Sequence, residues 1–328
     1  MPVETRGATS SARAYEALRL CFFPWQRERR LGKVRERAQE AARYSLPLSS
    51  GSFHSLALRR NGSVACWGID NRFGQTPPDG VDGDFVEIAA GNVHSLALRR
   101  DGNVACWGSN YHGQAPPDGV EGDFVAIAAG GAHSLALTRN GNVACWGHND
   151  DGQAPPDGVD GDFIAIAAGG RHSLALRRNG SVACWGWNHY YGQAPPDGVD
   201  GAFIAIAAGS EYSLALRQNG SIACWGGNYH GQAPPDGVDW GGNYHGQAPP
   251  DGAFIAIAAG DIHSLALRQN GSIVCWGPNH DGRAPPDGVD GDFVAIAGGS
   301  YHSMALRRDG SIAYWGNIGQ APPDGVFG

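Results

Sequence analysis

Lysine is almost absent from this chain of 328 residues: Lys33 is the only one among 24 lysine and arginine residues. A ubiquitin or acetyl group can therefore be attached to a lysine side chain at one place only. Uninterrupted apolar runs of about 18 residues or more, which a membrane-spanning helix requires, are absent as well. The N-terminus also lacks an apolar stretch followed by a small-residue cleavage site. We therefore expect a cytoplasmic or nuclear protein with no transmembrane segment.

The net charge of −8 is unevenly distributed. Residues 1–50 contain ten basic and five acidic residues, whereas residues 51–328 contain 14 basic and 27 acidic residues, a net charge of −13. An acidic surface repels the phosphate backbone of nucleic acids. We therefore expect no direct nucleic-acid binding by residues 51–328.

A unit of about 39 residues recurs seven times, and such a period predicts a repeat architecture. Each unit contains a histidine or tyrosine followed by serine, and a Trp-Gly pair thirteen residues later. The first position is occupied by His54, His94, His133, His172, Tyr212, His263 and His302. The sequence WGGNYHGQAPPDG occurs at Trp225–Gly237 and again at Trp240–Gly252. We interpret the second copy as a loop insertion and not as an eighth unit.

Within one unit, FVAIAAG, HSLAL and NVACWG are short apolar runs and are predicted to be strands. Asn-Gly or Asp-Gly joins the second run to the third, which is the strongest short-range signal of a hairpin, with both turn residues expected at positive φ. Prolines in the following GQAPPDG segment restrict it to a sheet edge. Seven small antiparallel sheets must pack face to face, and radial closure into a propeller achieves this. In the first unit, SLPLSSG replaces the leading strand, so we expect residues 44–50 to be the weakest part of the ring.

Residues 129–153, AGGAHSLALTRNGNVACWGHNDDGQ, resemble the repeat of the regulator of chromosome condensation family. The shared features are Gly-x-x-His-Ser-Leu-Ala-Leu, an Asn-Gly turn and Trp-Gly-x-Asn-x-x-Gly-Gln. The resemblance covers roughly residues 45–328, and the short unit is similar to that of bacterial β-lactamase inhibitor propellers. It implies an all-β, seven-bladed β-propeller at 45–328, preceded by a basic, helical or disordered extension at 1–44.

The variable positions of the units fall in two loops, one before the histidine position and one after Trp-Gly, and an antiparallel meander places both on the same rim. Aromatic, histidine and charged residues there have the composition of a protein-binding surface. The alternative is that these loops drift freely and their aromatic side chains only pack on the rim. The predicted partner-binding residues are Phe53, Tyr111, His112, Arg171, Trp187, His189, Tyr190, Tyr191, Glu211, Tyr229, His230, Tyr244, His245 and Tyr301.

We predict no catalytic residue, cofactor or metal site. The repeated histidine and its neighbouring serine are adjacent in a strand, so their side chains point to opposite faces and cannot form a nucleophile and base pair. The histidines are instead expected to bond to neighbouring backbone. Six cysteines share one position of the unit and form no C-x-x-C pair, which predicts small buried thiols. These are Cys66, Cys106, Cys145, Cys184, Cys224 and Cys275.

The leading hypothesis is a non-catalytic propeller that binds a protein through one rim. The resemblance offers two alternatives, because relatives include exchange factors for small GTPases and propellers joined to ubiquitin-ligase domains. The basic stretch at residues 18–44 has a thin apolar stripe, so calmodulin or membrane-surface contact is an alternative to a solvated helix. No sequence pattern identifies the partner or the role of the Trp240–Gly252 loop.

Overall fold

The computed structural model describes residues 48–229, 231–232, 254–317 and 322. These residues form 21 β-strands in seven three-stranded antiparallel sheets, and the described part contains no helix. We number each sheet as a blade, from blade 1 to blade 7 in chain order. The predicted N-terminal extension, including the stretch at 18–44, lies outside the described residues.

Each blade has an inner, a middle and an outer strand, which follow one another in the chain. The inner strands are β1 (Leu48–Ser50), β4 (Phe85–Ala90), β7 (Phe124–Ala129), β10 (Phe163–Ala168), β13 (Phe203–Ala208), β16 (Phe254–Ala259) and β19 (Phe293–Gly298). The middle strands are β2 (His54–Leu58), β5 (His94–Arg99), β8 (His133–Thr138), β11 (His172–Arg177), β14 (Tyr212–Arg217), β17 (Ser264–Arg268) and β20 (His302–Arg307). The outer strands are β3 (Val64–Gly68), β6 (Val104–Gly108), β9 (Val143–Gly147), β12 (Val182–Gly186), β15 (Ile222–Gly226), β18 (Ile273–Trp276) and β21 (Ile312–Gly316).

The blades form a closed ring. Each inner strand contacts the inner strands of the two neighbouring blades, and β1 contacts β19. The ends of all seven inner strands line a narrow central cavity of about 70 Å³. The expected seven-bladed β-propeller is therefore confirmed.

The hydrophobic core lies between adjacent blades. Leu56 and Cys66 of blade 1, for example, pack against Phe85 and Ile88 of blade 2. A register shift after the first residue of β4 sets Phe85 into this interface, where the Arg99 guanidinium lies 5.0 Å from its ring. Burial of a phenylalanine side chain stabilises the fold by about 1.5–3 kcal/mol. Alternating apolar residues on both faces of each sheet therefore join the blades into one body.

Glycine ends the inner strands because there is no room for a side chain. A Cβ atom on Gly91 would lie 2.3 Å from Cε1 of His94 and 2.5 Å from the carbonyl oxygen of Gly130. The backbone of one blade therefore approaches the next closely at this point. The N–H of Asn92 donates to the same Gly130 carbonyl at 3.3 Å, which links blades 2 and 3.

The hairpins between middle and outer strands differ from the sequence prediction. Only glycine has positive φ, such as Gly62 at 86°, while Asn61 does not. The N–H of Gly62 donates to the carbonyl of Arg59 at 3.0 Å, and the Asn61 carboxamide accepts from the N–H of Ser63 at 3.0 Å. This is a turn closed by a left-handed glycine bulge, in which asparagine contributes its side chain and not a positive φ.

The proline-containing segment lies at the outer edge of the blade, as predicted. Val81 pairs with Val64 through an isolated antiparallel bridge, and four other blades repeat this contact. The segment thus covers part of the outer strand without adding a full fourth strand.

Candidate functional site

The two variable loops of each blade lie side by side on one rim, which we call the loop rim. The N–H of Ser109, after the outer strand of blade 2, donates to the carbonyl of Val93 at 2.9 Å. In blade 4 the N–H of Trp187 donates to the carbonyl of Arg171 at 2.8 Å. The backbone therefore fixes the spacing between the loops in which the blades differ.

Exposed hydrophobic side chains are concentrated on the loop rim. Seven large hydrophobic residues are exposed in the described part of the chain, and six belong to these loops. They are Ile69, Phe73, Tyr111, Tyr190, Tyr229 and Tyr301. Tyr111 and Tyr190 expose 85% and 77% of their surface, respectively. Such a concentration on one face is typical of an interaction surface.

Blades 4 and 5 carry a continuous row of four aromatic rings, Trp187, Tyr190, Tyr191 and Tyr229, which we call the aromatic strip. Successive ring centroids are 5.8, 6.1 and 5.1 Å apart, with interplanar angles of 47°, 52° and 88°. A hydrogen bond to Tyr229 is the largest cause that raises the pKa of Tyr191, to about 12. The hydroxyl of Tyr191 therefore stays protonated at neutral pH.

One end of the aromatic strip is held by charged side chains. The Arg171 guanidinium lies 5.2 Å from the Trp187 ring, an arrangement that favours a cation–π interaction. Its Nε atom is 3.1 Å from a carboxylate oxygen of Asp151, whose side chain is largely buried. Near the middle of the strip, the Glu211 carboxylate also contributes to the raised pKa of Tyr191.

The loop that carries Tyr190 and Tyr191 departs from the arrangement in blades 1–3. There, a buried glutamine side chain accepts the N–H two residues before it, as Gln114 does from His112 at 2.9 Å. In blades 1–3 an asparagine side chain also accepts from the N–H five residues after it. In blade 4 the Asn188 side chain accepts from the N–H of Ala194, which lies six residues later. Both polar side-chain atoms of the buried Gln193 are left without a hydrogen-bond partner. The extra residue thus displays a second tyrosine and disrupts the hydrogen bonding of the loop.

A shallow depression of about 390 Å³ lies on the same rim over blades 1–4. Its floor includes Gly131 and Gly170, and Phe53, His112 and His148 contribute to its walls. The two imidazole rings are 4.5 Å apart and meet edge to face. Arg171 lines both the depression and the end of the aromatic strip, so the two features adjoin.

The ring of aromatic contacts continues where the last blade meets the first. Phe53 of blade 1 stacks on Tyr301 of blade 7 at 5.4 Å. Beneath Tyr301 lies the buried Arg283, which donates to the carbonyl of Ser300 and pairs with Asp281 at 3.0 Å. Sequence reasoning missed Arg283, although it breaks the Gly-Gln pattern of the other loops.

Not every predicted rim residue lies in the described part of the chain. Phe53, Tyr111, His112, Arg171, Trp187, His189, Tyr190, Tyr191, Glu211, Tyr229 and Tyr301 lie on the loop rim. His230, Tyr244 and His245, like the whole Trp240–Gly252 loop, lie outside the described residues. Phe73 was not among the predicted residues, but its ring is 6.4 Å from that of Tyr111.

The opposite face, which we call the hairpin rim, has a different chemistry. Four blades carry an exposed arginine–aspartate pair there, such as Arg139 with Asp123 at 2.8 Å. In blade 5, Ala202 and Gln218 replace both partners together. Exposed pairs of this kind contribute little to stability. The hairpin rim thus carries the same polar pair in four of the seven blades.

The repeated histidines and serines do pair, but between blades. Nε2 of His94 in blade 2 lies 3.0 Å from the Ser134 hydroxyl oxygen in blade 3. That hydroxyl donates to the carbonyl of Gln114 at 2.9 Å, so its oxygen accepts a hydrogen bond from the N–H of the imidazole. The sequence predicted neighbouring backbone as the partner of the histidine; the structure adds the serine of the next blade as a side-chain partner, and the backbone of His94 also hydrogen-bonds to His54.

This pairing does not create a nucleophile. Burial, with a smaller contribution from the neighbouring histidines, lowers the pKa of His94 to about 3. Ser134 is fully buried and its proton is already engaged by a carbonyl. A substrate in solvent cannot reach either atom, so these residues hold the blades together.

Two further kinds of site are absent from the described part of the chain. Within residues 48–229, 231–232, 254–317 and 322, no group of three or more His, Cys, Asp or Glu residues is arranged to hold a metal ion. Over the same ranges, no helix has the length and apolar character to cross a membrane. The six described cysteines are free thiols, and burial raises the pKa of Cys66 to about 12.

Comparisons with known proteins agree with the geometry. Among solved structures, the chain is similar to the ectodomain of the receptor kinase CR4 from Physcomitrella patens, with 22% identity, a TM-score of 0.65, and coverage of 83% of this chain and 74% of that one. It is similar to Prp20p from Saccharomyces cerevisiae, a structure described with its binding properties to Gsp1p and histones, with 21% identity, a TM-score of 0.62, and coverage of 84% and 82%. It is also similar to human WBSCR16, with 22% identity, a TM-score of 0.64, and coverage of 79% of this chain and 85% of that one. No curated protein matches the chain.

The sequence itself matches a family model over more than half of its length. The model is the regulator of chromosome condensation (RCC1) repeat, and it matches residues 48–75, 85–114, 124–153, 163–193, 203–232 and 254–283. The matched segments begin at or near the inner strands of blades 1–6 and end in the loops that follow the outer strands. The chain therefore belongs to the regulator of chromosome condensation (RCC1) repeat family.

Proposed function

We propose that this protein is a non-catalytic interaction propeller that binds a protein partner through the loop rim. The observation that carries the proposal is the contrast between the two faces. Exposed aromatic side chains occupy the rim on which the blades differ, while the hairpin rim repeats the same polar pairs. Rigid strands position the variable loops, which is the usual arrangement of binding surfaces on repeat proteins. In this proposal residues 45–328 form the propeller and residues 1–44 a separate extension.

The residues that would carry binding are the rim residues named above. Trp187, Tyr190 and Tyr229 present large, rigid surfaces, and such residues dominate the energy of protein interfaces. The proposal also includes His230, Tyr244 and His245, which lie outside the described residues. The histidine–serine pairs between the blades have no role in it beyond holding the loops in place.

Affinity capture with the full-length protein tests the proposal. The wild type is compared with the Tyr190→Ala, Tyr191→Ala double variant and with an Asp123→Ala, Arg139→Gln double variant on the hairpin rim. We expect a partner that is recovered with the wild type and the hairpin-rim variant but lost with the tyrosine variant. Each such partner is then purified and its affinity measured directly. A partner retained equally by all three proteins contradicts the role of the loop rim.

A second candidate is regulation of a small GTPase, with the ubiquitin pathway as a further alternative. The similarity to Prp20p, whose structure is described with its binding to Gsp1p, supports the GTPase candidate. Its test is the release of labelled GDP from any GTPase that the capture recovers. Accelerated release favours an exchange factor, whereas binding without release favours the interaction propeller. Deletion of Trp240–Gly252 then tests whether that loop acts on the nucleotide.

A further inference from the structure

The aromatic strip has features that restrict the chemistry of its ligand. Trp187, Tyr190 and Tyr191 are tilted to one another by 47° and 52°, and Tyr191 meets Tyr229 edge to face, so the strip presents both faces and edges of its rings. No aliphatic side chain belongs to the strip. An amphipathic helix buries rows of aliphatic residues in an apolar groove, which the strip does not provide.

A polyproline II helix fits such a surface. It has three residues per turn and rises about 9 Å per turn. This rise is longer than the distance between two successive ring centroids of the strip and shorter than the sum of two such distances. Its pyrrolidine rings pack against aromatic side chains, and its carbonyl groups make no internal hydrogen bonds. Tyrosine hydroxyls can donate to these carbonyls, and the helix is preformed, so little entropy is lost on binding.

Charge supplies the second restriction. Glu211 acts on Tyr191 in the middle of the strip, and residues 51–328 carry a net charge of −13. Arg171, at the end of the strip, is paired with Asp151. A ligand that carries arginine or lysine is therefore favoured over an acidic one.

The loop of blade 4 adds an independent observation. Its additional residue leaves both polar side-chain atoms of the buried Gln193 without a hydrogen-bond partner. An unsatisfied buried polar group destabilises a fold. The loop that displays two adjacent tyrosines thus lacks the hydrogen bond that the corresponding glutamine side chain accepts in blades 1–3.

We propose that the aromatic strip binds a proline-rich segment of a protein partner in the polyproline II conformation, with an arginine or lysine of that segment beside Glu211. This inference rests on the proposed function, because it assumes that the loop rim binds a protein. It identifies which part of the rim makes the contact and what chemistry the partner presents there.

Fluorescence anisotropy of the full-length protein with labelled peptides tests the proposal. The probe spans about four turns of polyproline II, or about 12 residues, with proline at two of every three positions and arginine near its centre. Control peptides replace proline by alanine or arginine by glutamine. We expect saturable binding of the probe and loss of binding when alanine replaces proline.

Variants locate the contact. Tyr190→Ala should weaken binding about tenfold or more, as expected for a central aromatic residue, whereas Tyr190→Phe should retain most of it. Tyr111→Ala is the matched control, since Tyr111 is an equally exposed rim tyrosine outside the strip. Glu211→Gln should weaken binding of the arginine peptide but not of the peptide in which glutamine replaces arginine. Unchanged thermal melting shows that the variants are folded.

Three outcomes overturn the proposal. The first is absence of binding to every proline-rich peptide, and the second is binding that Tyr190→Ala leaves unchanged. The third is tighter binding of a peptide with this chain's own sequence GQAPPDGV, which would identify a second copy of the chain as the occupant. If capture still recovers a partner that depends on the loop rim, only this inference fails. If no proline-rich peptide binds and capture recovers no partner that depends on the loop rim, the proposed function is contradicted as well.

Discussion

Nε2 of His302 in blade 7 lies 2.8 Å from the hydroxyl oxygen of Ser55 in blade 1. The two residues are 247 positions apart in the chain, and their contact closes a ring of seven similar links. Five of the other links join His54 to Ser95, His94 to Ser134, His133 to Ser173, His172 to Ser213, and His263 to Ser303. In the remaining link, the hydroxyl of Tyr212 lies 3.1 Å from that of Ser264.

The contact between His302 and Ser55, which closes the ring, should contribute as much stability as a contact between two blades that are consecutive in the chain. Ser55→Ala leaves His302 buried without its partner, and we expect a loss of about 1–3 kcal/mol in the free energy of unfolding. A loss of 1 kcal/mol lowers the melting temperature by about 2–4 °C in a protein of about 150–250 residues, and by less in a longer one. Ser134→Ala is the matched internal control. A Ser55→Ala protein that melts like the wild type, beside a destabilised Ser134→Ala protein, would contradict closure through this contact.

Acid should unfold the protein over a window set by these histidines. Burial lowers the pKa of His54, His94, His172 and His263 to about 3, and of His133 and His302 to about 4. The ordinary pKa of histidine is 6.5. Below this pH the unfolded chain therefore binds more protons than the folded protein does. The stability present above pH 6.5 is lost as the pH falls toward 4, by up to about 1.4 kcal/mol per pH unit for each histidine.

Blades 4 and 5 supply the variants for this test. His172→Tyr removes one titrating group, and Tyr212→His adds one in the position where six blades have histidine. In urea titrations between pH 4.5 and pH 7, the first variant should lose stability less steeply than the wild type and the second more steeply. Parallel pH profiles for all three proteins would show that the histidines do not control the acid transition.

A buried carboxyl group produces the opposite pH dependence. Glu87 lies between the inner strands of blades 2 and 3, where five other blades have alanine, and burial raises its pKa to about 8. The folded state thus binds a proton that the unfolded chain releases above pH 4.5, so this residue destabilises the fold as the pH rises toward 8. Glu87→Ala should be more stable than the wild type in urea titrations at pH 8, by a margin that shrinks toward pH 4.5. A constant or reversed difference would be inconsistent with a buried carboxyl group.

The cysteines of the repeat should be chemically inert in the folded protein. Burial raises the pKa of Cys66, Cys106, Cys145, Cys184 and Cys275 to about 12, so little thiolate exists near pH 8. In a Cys21→Ser protein, Ellman's reagent should detect none of these five thiols before denaturation and all of them in guanidinium chloride. Rapid reaction of any of the five in the native protein would argue against their burial.

Much of this molecule could be predicted from its sequence because the repeat displays the local rules seven times. The apolar runs, the glycines and the prolines determined the strand number, the hairpins and the edge segment. The turn type was predicted incorrectly, since Asn-Gly occurs both in turns with two residues at positive φ and in turns with a glycine bulge. The sequence alone does not distinguish which of these the flanking strands accept.

The contacts between blades were harder to predict. Alternation along a strand correctly separates His94 from Ser95 within blade 2, but it does not indicate that His94 lies opposite Ser134 of the next blade. The constant spacing of both residues was the available signal. On the loop rim, the sequence identified the aromatic residues but not the order of their contacts, because loop side chains are placed by packing and not by periodicity.

The ring of links also bears on how such a chain can change over generations. Six of the seven blades carry the same histidine, blade 5 carries Tyr212, and all seven carry the same serine, so most blades are suitable neighbours for one another. A gene that gains or loses one unit by unequal recombination therefore still encodes matching junctions, and only the angle between blades limits the number of units. Because the junctions are uniform while the loops are not, a single blade can acquire new loop residues without any compensating change in its neighbours.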